Sequence, residues 1–566
     1  MYISRIPNRN SRPAILLRES KRVGDRVIKI THANLTNWPA EHVTALELIL
    51  QGEQLVRPNQ AYAIERSLPG GHVAAILGTM RKLGLDTMIS SKPCRERDLV
   101  MAMIVERLLR PASKLATAKL WHNTTLVEDL KLDGADENDL YAALTWLGER
   151  QLRIEKKLAK RHLAEGGMVL YDLSNSYYEG ETSTLVKYGH GRDGKKGLPV
   201  VVYGVLTNAE GCPVSVEVFP GNTSDSLTVS AQADKLVQRF GLQKVVLVGD
   251  RGTLTGPQLD GLRERPEFGW ISALRTEAIR SLVKQGHLQM SLFDQRNLAE
   301  LPPSADYPGE RLVACYNPLL AEKRQHKRAG LLQATATDLD KLSLQIARRT
   351  KQKLTDFEIG VKAGKVLGRY KMAKHITYQV ENGNFVWSRN EASIATEAQL
   401  DGVYVIRTSE PELTPEAVVR GYKRLTQVEE NFRGLKGPQI SVRPIRHRTD
   451  AHIRAHIFLC LLTYYVEYHL RRALAPLLFD DEELELARAT RDAVRPAQPS
   501  PSARQKKHSG LTADGLTVQS FTTLLDELGT KTRNTCRFLT IANSQPITLW
   551  ANPTPLQRKA FELLGL

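Results

Sequence analysis

A chain of 566 residues is too long for one simple core, so two to four domains are expected, and 79 Lys+Arg against 62 Asp+Glu give a net charge of +17 that favours a polyanionic partner, nucleic acid before membrane. Cys94, Cys212, Cys315, Cys460 and Cys536 stand singly with no CxxC pair, which argues against a disulfide framework and a zinc module. The longest apolar run, "IFLCLLTYYV" from Ile457, is too short to span a bilayer, and the first residues lack an apolar leader core, so a cytoplasmic protein with no membrane partner is expected.

In chain order, residues 1–65 read as short strands and turns, with "AILLRES" and "DRVIKI" as a hairpin. Residues 66–165 turn helical, as in "DLVMAMIVERLLR" and "DLYAALTWLGERQLRIEKKLAKRHL". This is a candidate DNA-binding region, centred on "SKLATAKLW", although amphipathic helices that merely pack are commoner. From Gly167 the period changes: "MVLYDLS" is a buried-strand run, "RDGKK" a polar loop, and "LPVVVYGVLT" and "CPVSVEVFP" a hairpin across "NAEG". A helix after "GNTSDS", the strand "KVVLVGD", a short helix from Gly256 and the strand "FGWISAL" follow. Strand-strand-strand-helix-strand-helix-strand matches a ribonuclease H-like α/β mixed sheet.

Residues 276–410 interrupt that core with "ERLVACYNP", the basic helical stretch "LLAEKRQHKRAGLLQ", the hairpin "HITYQVENGNFVW" and the strand "GVYVIRTS". They read as an inserted, β-rich domain. The catalytic core is then 166–275 plus 411–475, and 476–566 is a Pro/Ser/basic linker followed by a helical C-terminal unit. Positive charge is focused. Ala321–Lys374 holds fourteen Lys/Arg against five Asp/Glu, and Arg420–Arg472 eleven against four.

Asp172 in "VLYDLSNS" and Asp250 in "VLVGDRG" end the first and fourth strands of this sheet, where open α/β sheets gather ligands. The third acid comes from "YKRLTQVEENFRGLK". Thr414 caps this helix, Pro415 suits its first turn and Gly437-Pro438 ends it. Read as one helix, its apolar stripe runs through Val418, Tyr422, Leu425 and Phe432, and Glu429 falls inside it. A carboxylate there needs a cation. Either Arg433 or Arg424 pairs with it, or it joins Asp172 and Asp250 around metal. Three convergent carboxylates suit Mg²⁺, and a pair of ions about 3.5–4 Å apart serves in-line phosphoryl displacement.

Asp172, Asp250 and Glu429, with "DRG" and the series Tyr422, Leu425, Glu429 and Lys436, resemble the bacterial insertion-sequence DDE transposases that carry a Tyr-Arg-Glu-Lys signature and a β-rich insertion. The gaps are 77 residues between the aspartates and 178 before the glutamate. The resemblance covers about Gly167–Arg472, and Leu425 stands where the family has Arg, with Arg424 one step round. It implies a DNA transposase, an endonuclease that binds the ends of its insertion sequence, frees 3′-OH ends and joins them to target DNA. It further implies two Mg²⁺ with Mn²⁺ as substitute, a homodimer on paired ends, and work on nucleoid DNA.

The resemblance assigns Tyr422 and Lys436 to DNA phosphates, and Arg424, Arg433, Arg443 and Arg446 are added as DNA-binding candidates; each also has a packing or surface reading. Two rival functions share the sequence: a structure-specific nuclease of the same fold and a catalytically silent DNA-binding regulator. His452 and His456, an i,i+4 pair without HExxH context, read as helix packing. Asn222 and Asp225 read as turn and cap, His447 as phosphate contact or surface, and Trp387 as β-core packing or a base-stacking platform.

Overall fold

The computed structural model describes all residues except 10, 54, 56–60, 181, 196, 295, 350 and 540–544, so Lys196 of the "RDGKK" loop lies outside the described residues. The chain forms two units, 1–70 with 530–552, and 71–529 with 553–566.

In the first unit β1 (Tyr2–Ile6), β2 (Ala14–Val23) and β3 (Arg26–Asn34) make an antiparallel sheet whose β2–β3 turn carries Gly24 at a φ of 62°. Helix α1 (Ala40–Leu50) was not legible in the sequence, where the segment read as strands and turns; a two-fold Arg5–Glu47 contact of 3.0 and 2.7 Å ties it to β1. Strand β4 (Tyr62–Pro69) pairs with Thr532–Phe538, which pairs in turn with Ile547–Trp550. The expected purely helical C-terminal unit is therefore corrected. Strands whose partner lies at the other end of the chain leave no local hairpin signal.

The second unit opens with helices α2 (Gly71–Lys82), α3 (Leu85–Ile89), α4 (Arg95–Leu109), α5 (Lys114–Leu120), α6 (Leu126–Leu130), α7 (Glu137–Glu149) and α8 (Gln151–His162). A capping box of Asp136 and Asp139 starts α7. Ile104, Leu144 and Leu158 share one core with the long helix at 450–474, so these helices bury their apolar faces inside the unit.

The sheet begins as a meander of β5 (Met168–Tyr177), β6 (Val200–Asn208) and β7 (Pro213–Phe219). After α9 (Val229–Asp234), β8 (Val245–Val248) returns parallel beside β5; after α10 (Gly256–Arg263), β9 (Phe268–Ala273) lies parallel beside β8. The next segment runs α11 (Thr276–Lys284), β10 (Leu298–Glu300), β11 (Arg311–Tyr316), α12 (Pro318–Ala347), α13 (Asp356–Tyr370), β12 (Ile376–Glu381), β13 (Asn384–Arg389), α14 (Glu391–Ala398) and β14 (Val403–Thr408). Strand order in the eight-stranded sheet is β10-β11-β14-β9-β8-β5-β6-β7.

Two expectations for 276–410 are corrected. It is not β-rich, because α12 alone spans 30 residues. Nor does all of it stand apart, because β10, β11 and β14 extend the main sheet beyond β9, while α12, α13, β12 and β13 close a separate core around Leu339, Ile359 and Phe385.

Helices α15 (Pro415–Lys423), α16 (Leu425–Lys436), α17 (Asp450–Leu474), α18 (Leu484–Thr490), α19 (Pro501–Ser509) and α20 (Phe521–Gly529) follow, and, beyond β15 (Thr532–Phe538) and β16 (Ile547–Trp550), α21 (Pro555–Leu564). The expected mobile linker contains α19, anchored by the buried Lys506, whose ammonium donates to the carbonyls of Ala475 and Asp480 at 2.8 Å each. No described helix is long and apolar enough to cross a membrane.

Alternation along the strands sorts the two faces. Val169, Tyr171 and Leu173 of β5 pack with Leu236 and Leu259, whereas Leu170 packs on the opposite side in the core that includes Val428 and Phe432 of α16. Val246 and Val248 of β8 belong to that same side. Asp172 and Asp250 continue these two series, so both follow the face that α16 covers.

Candidate active site where β8 ends beside β5

Register brings the two aspartates together. Met168, Val169 and Leu170 pair with Val246, Leu247 and Val248; two steps further along each strand stand Asp172 and Asp250. Burial raises the Asp172 carboxyl to about 7, and the Asp250 carboxylate beside it adds to the rise. The amide of Leu173 donates to Asp172 Oδ1 at 2.8 Å, and Asp250 Oδ1 accepts from the amides of Gly252 (2.9 Å) and Thr253 (2.7 Å), which fixes the turn after β8.

The third acid arrives differently from the sequence reading. The helix does not run unbroken from Pro415 to Lys436; it is jointed at Arg424, whose amide bonds the carbonyls of both Arg420 (3.2 Å) and Gly421 (3.1 Å). Beyond the joint Leu425, Val428, Phe432 and Leu435 face the core, with Gln427 and Asn431 buried beside them. Glu429 is exposed, about 100° round from Val428. The placement of Glu429 inside the apolar stripe is corrected on this ground. Neither Arg433 nor Arg424 pairs with it: Arg433 is exposed, and Arg424 donates to the Ala209 carbonyl (2.7 Å) on the β6–β7 turn. No hydrogen bond or ion pair holds the Glu429 carboxylate among the described residues.

Tyr422, at the end of α15, connects the three acids. Its phenol is pushed up to about 12, first by burial and then by Asp250, with Asp172 and Glu429 also contributing, so all three carboxylates lie within electrostatic reach of one hydroxyl. They do not form a closed triad. Among the described residues, His162, Cys212 and His469 are the group whose ligand atoms all lie within 4.8 Å of one another, and the three acids stand wider apart than that. The donor set fits a hard divalent cation: it is all oxygen, two members are held in register on adjacent strands, and the third is free to swing.

Several residues near this site carried no sequence signal for it. Arg192, in the "RDGKK" loop, donates to the Leu173 carbonyl and pairs with Asp225, and its charge offsets part of the rise at Asp172. Asp225 thus has a partner beyond its turn. Asp193, with a side chain only 3% exposed, accepts from Lys436 (2.9 Å), Arg443 and the amide of Tyr177 (3.3 Å). Burial lowers the Lys436 ammonium, and Asp193 opposes that. Arg446 pairs with Glu179 at 2.9 Å. Next to Tyr422 a cleft opens, lined by Arg251, Arg280, Arg324 and Lys327 together with Glu277, Glu397 and Asp401, so the basic segment of α12 comes to the side of Tyr422.

The remaining candidates pack. His452 contacts Thr145 Oγ1 (3.0 Å) and His456 the Val442 carbonyl (3.1 Å), while Trp387 donates to Asp340 (3.2 Å). Asn222 is exposed.

The mixed sheet thus sets two acids side by side where β8 ends against β5, with an acid-bearing helix across them. A family model described as "Transposase DDE domain" matches residues 179–466, and the chain belongs to that family. The matched span includes Asp250 and Glu429 and begins just after β5, which carries Asp172. No curated protein matches the chain. Among solved structures, it is similar to a piggyBac transposase synaptic complex with hairpin DNA at 8% identity, with 79% of this chain and 85% of that chain covered and a TM-score of 0.26.

Proposed function

We propose that the protein is a DNA transposase of the insertion-sequence type, which binds the ends of its element, hydrolyses the phosphodiester to free 3′-OH ends and joins those ends to target DNA. The observation that carries this reading is the in-register pairing that sets Asp172 beside Asp250 under α16. The order β7-β6-β5-β8-β9 supports a ribonuclease H-like core, with 276–410 interrupting it between β9 and α15.

Asp172, Asp250 and Glu429 would hold Mg²⁺, two ions in all, with Mn²⁺ as substitute. Such ions activate the attacking oxygen and stabilise the leaving one in an in-line displacement. The chain's own groups do the rest. Arg192 braces the middle of β5 through the Leu173 carbonyl, and Tyr422 offers a half-buried hydroxyl beside the acids for a phosphate oxygen. The cleft with Arg251, Arg324 and Lys327 receives the DNA backbone. The same site serves cleavage and joining, since the two steps differ only in the nucleophile. Work as a homodimer on paired ends, on the nucleoid of a bacterial cytoplasm, completes the proposal.

The test is incubation of the purified protein with Mg²⁺ and duplex DNA carrying an element end. Joined products with free 3′-OH ends are expected, and Asp172→Asn should abolish both products while end binding persists. Cleavage without joining would identify a structure-specific nuclease, binding alone a silent regulator, and undiminished activity of Asp172→Asn would refute the assignment of the site.

A further inference from the structure

Away from the acids, a second pocket gathers four Lys and Arg side chains among uncharged neighbours. Arg107 comes from α4, Lys114 from α5, Arg443, Arg446 and His447 from the segment before α17, and His456 from α17 itself; no carboxylate lines it. Lys114 is 5% exposed and Arg107 is 8% exposed. The Arg107 guanidinium donates to the carbonyl of Ile440 at 2.8 Å, which joins α4 to the loop after α16 and holds the pocket's shape. Lys114 has no hydrogen-bond or ion-pair partner among the described residues. The nearby acids are already paired, Asp193 with Lys436 and the pocket's own Arg443, Glu179 with the pocket's Arg446, and Glu106 with Arg110, which leaves none for Lys114.

A buried ammonium with no counter-charge, beside a buried guanidinium, is costly unless an anion completes it. Burial, followed by Arg107, pushes Lys114 down to about 7, the sign of a site short of negative charge. We infer that this pocket binds a phosphate of the DNA backbone, with Lys114 as the central contact and Arg107 beside it. The inference rests on the transposase reading for the source of the phosphate. Position argues for DNA rather than a free anion. Ile445 bridges to Tyr178, six residues along the β5 strand from Asp172. At about 3.3 Å per residue that is roughly 20 Å, or about six steps of a duplex. One DNA segment can therefore cover both pockets. Asp193 also ties Arg443 to Lys436 on α16, the helix that bears Glu429.

The experiment compares wild type, Lys114→Met and Lys114→Arg, all full length and free of divalent metal. Affinity for an element-end duplex is measured by fluorescence anisotropy over a salt series, and melting is followed in inorganic phosphate and in chloride at matched ionic strength. Lys114→Met is expected to bind DNA severalfold more weakly, with a log–log salt slope shallower by about 1. It should melt no lower than wild type in chloride and lose the phosphate-specific rise in Tm that wild type shows, while Lys114→Arg restores the slope. An unchanged slope and affinity would overturn the proposal, including the case where phosphate alone still stabilises through Lys114, which would make this a small-anion site. A lower Tm of Lys114→Met in chloride would overturn it as well, by making Lys114 structural. Because no cleavage is measured, a protein that binds DNA through Lys114 yet never cuts would defeat the transposase reading and leave this pocket standing.

Discussion

Asp172 sits in the metal-free fold as a carboxyl that resists ionisation, and that has a consequence for stability. Its folded pKa of about 7 exceeds the unfolded value of about 3.9. Between those values the folded state keeps a proton that the unfolded state has released, so stability falls as pH rises through the window, and the full cost is present above it. In EDTA, Asp172→Asn is therefore expected to be more stable than wild type at pH 8 by a few kcal/mol, at about 1.4 kcal/mol per pKa unit, with the difference vanishing below about pH 4. Urea denaturation at several pH values measures this. A variant less stable than wild type at pH 8 would show that the two aspartates do not strain each other. The residue types of Asp172 and Asp250 were legible because a buried strand reads as an apolar run that an acid interrupts, but the expected strand-end position holds only for Asp250, just past β8, since β5 runs on from Asp172 to Tyr177. Arg192 was not legible, since its partners are a backbone carbonyl and a side chain on other elements.

Caps and turns were the readable part of the elements. Thr414 Oγ1 accepts from the Ala417 amide (3.2 Å), Pro415 opens α15, Gly437 closes α16, and the Asn382-Gly383 turn carries positive φ at both residues. The joint at Arg424 escaped sequence reading because both halves are helical in period; the guanidinium bond to Ala209 on the β6–β7 turn accompanies the bend. That joint decides whether Glu429 faces core or cleft. Asp193 is the second deciding feature, since Lys436 on α16 and Arg443 before α17 share its carboxylate. Asp193→Ala leaves two partly buried cations without their partner and should lower stability by about 3–5 kcal/mol. Equilibrium unfolding measures the loss, and a change under about 1 kcal/mol would mean these cations are satisfied by water.

Across the whole molecule, net charge says little about where the cations end up. The basic stretch of Ala321–Lys374 does reach the site, through Arg324 and Lys327 beside Tyr422. The arginines expected at DNA from Arg420–Arg472, in contrast, are partly engaged within the protein, Arg443 with Asp193 and Arg446 with Glu179. Pairing in space cannot be read from a count of charges along the chain. The chain order of strands and helices was legible as far as β9, but whether the first and fourth strands are neighbours was left open and the three strands that widen the sheet were missed, because non-consecutive pairing leaves no trace in local pattern. DNA affinity should fall steeply with salt, with a log–log slope of about −0.9 per phosphate contacted. An affinity constant over a severalfold salt range would contradict a backbone-binding surface.

The shared cation site is tested most directly by counting Mn²⁺ bound to the protein on element-end DNA with electron paramagnetic resonance, in wild type and in Asp172→Asn, Asp250→Asn and Glu429→Gln. Wild type is expected to bind Mn²⁺ tightly, with binding abolished in either aspartate variant and weakened at least tenfold in Glu429→Gln. Full-strength binding in all three variants would contradict the account.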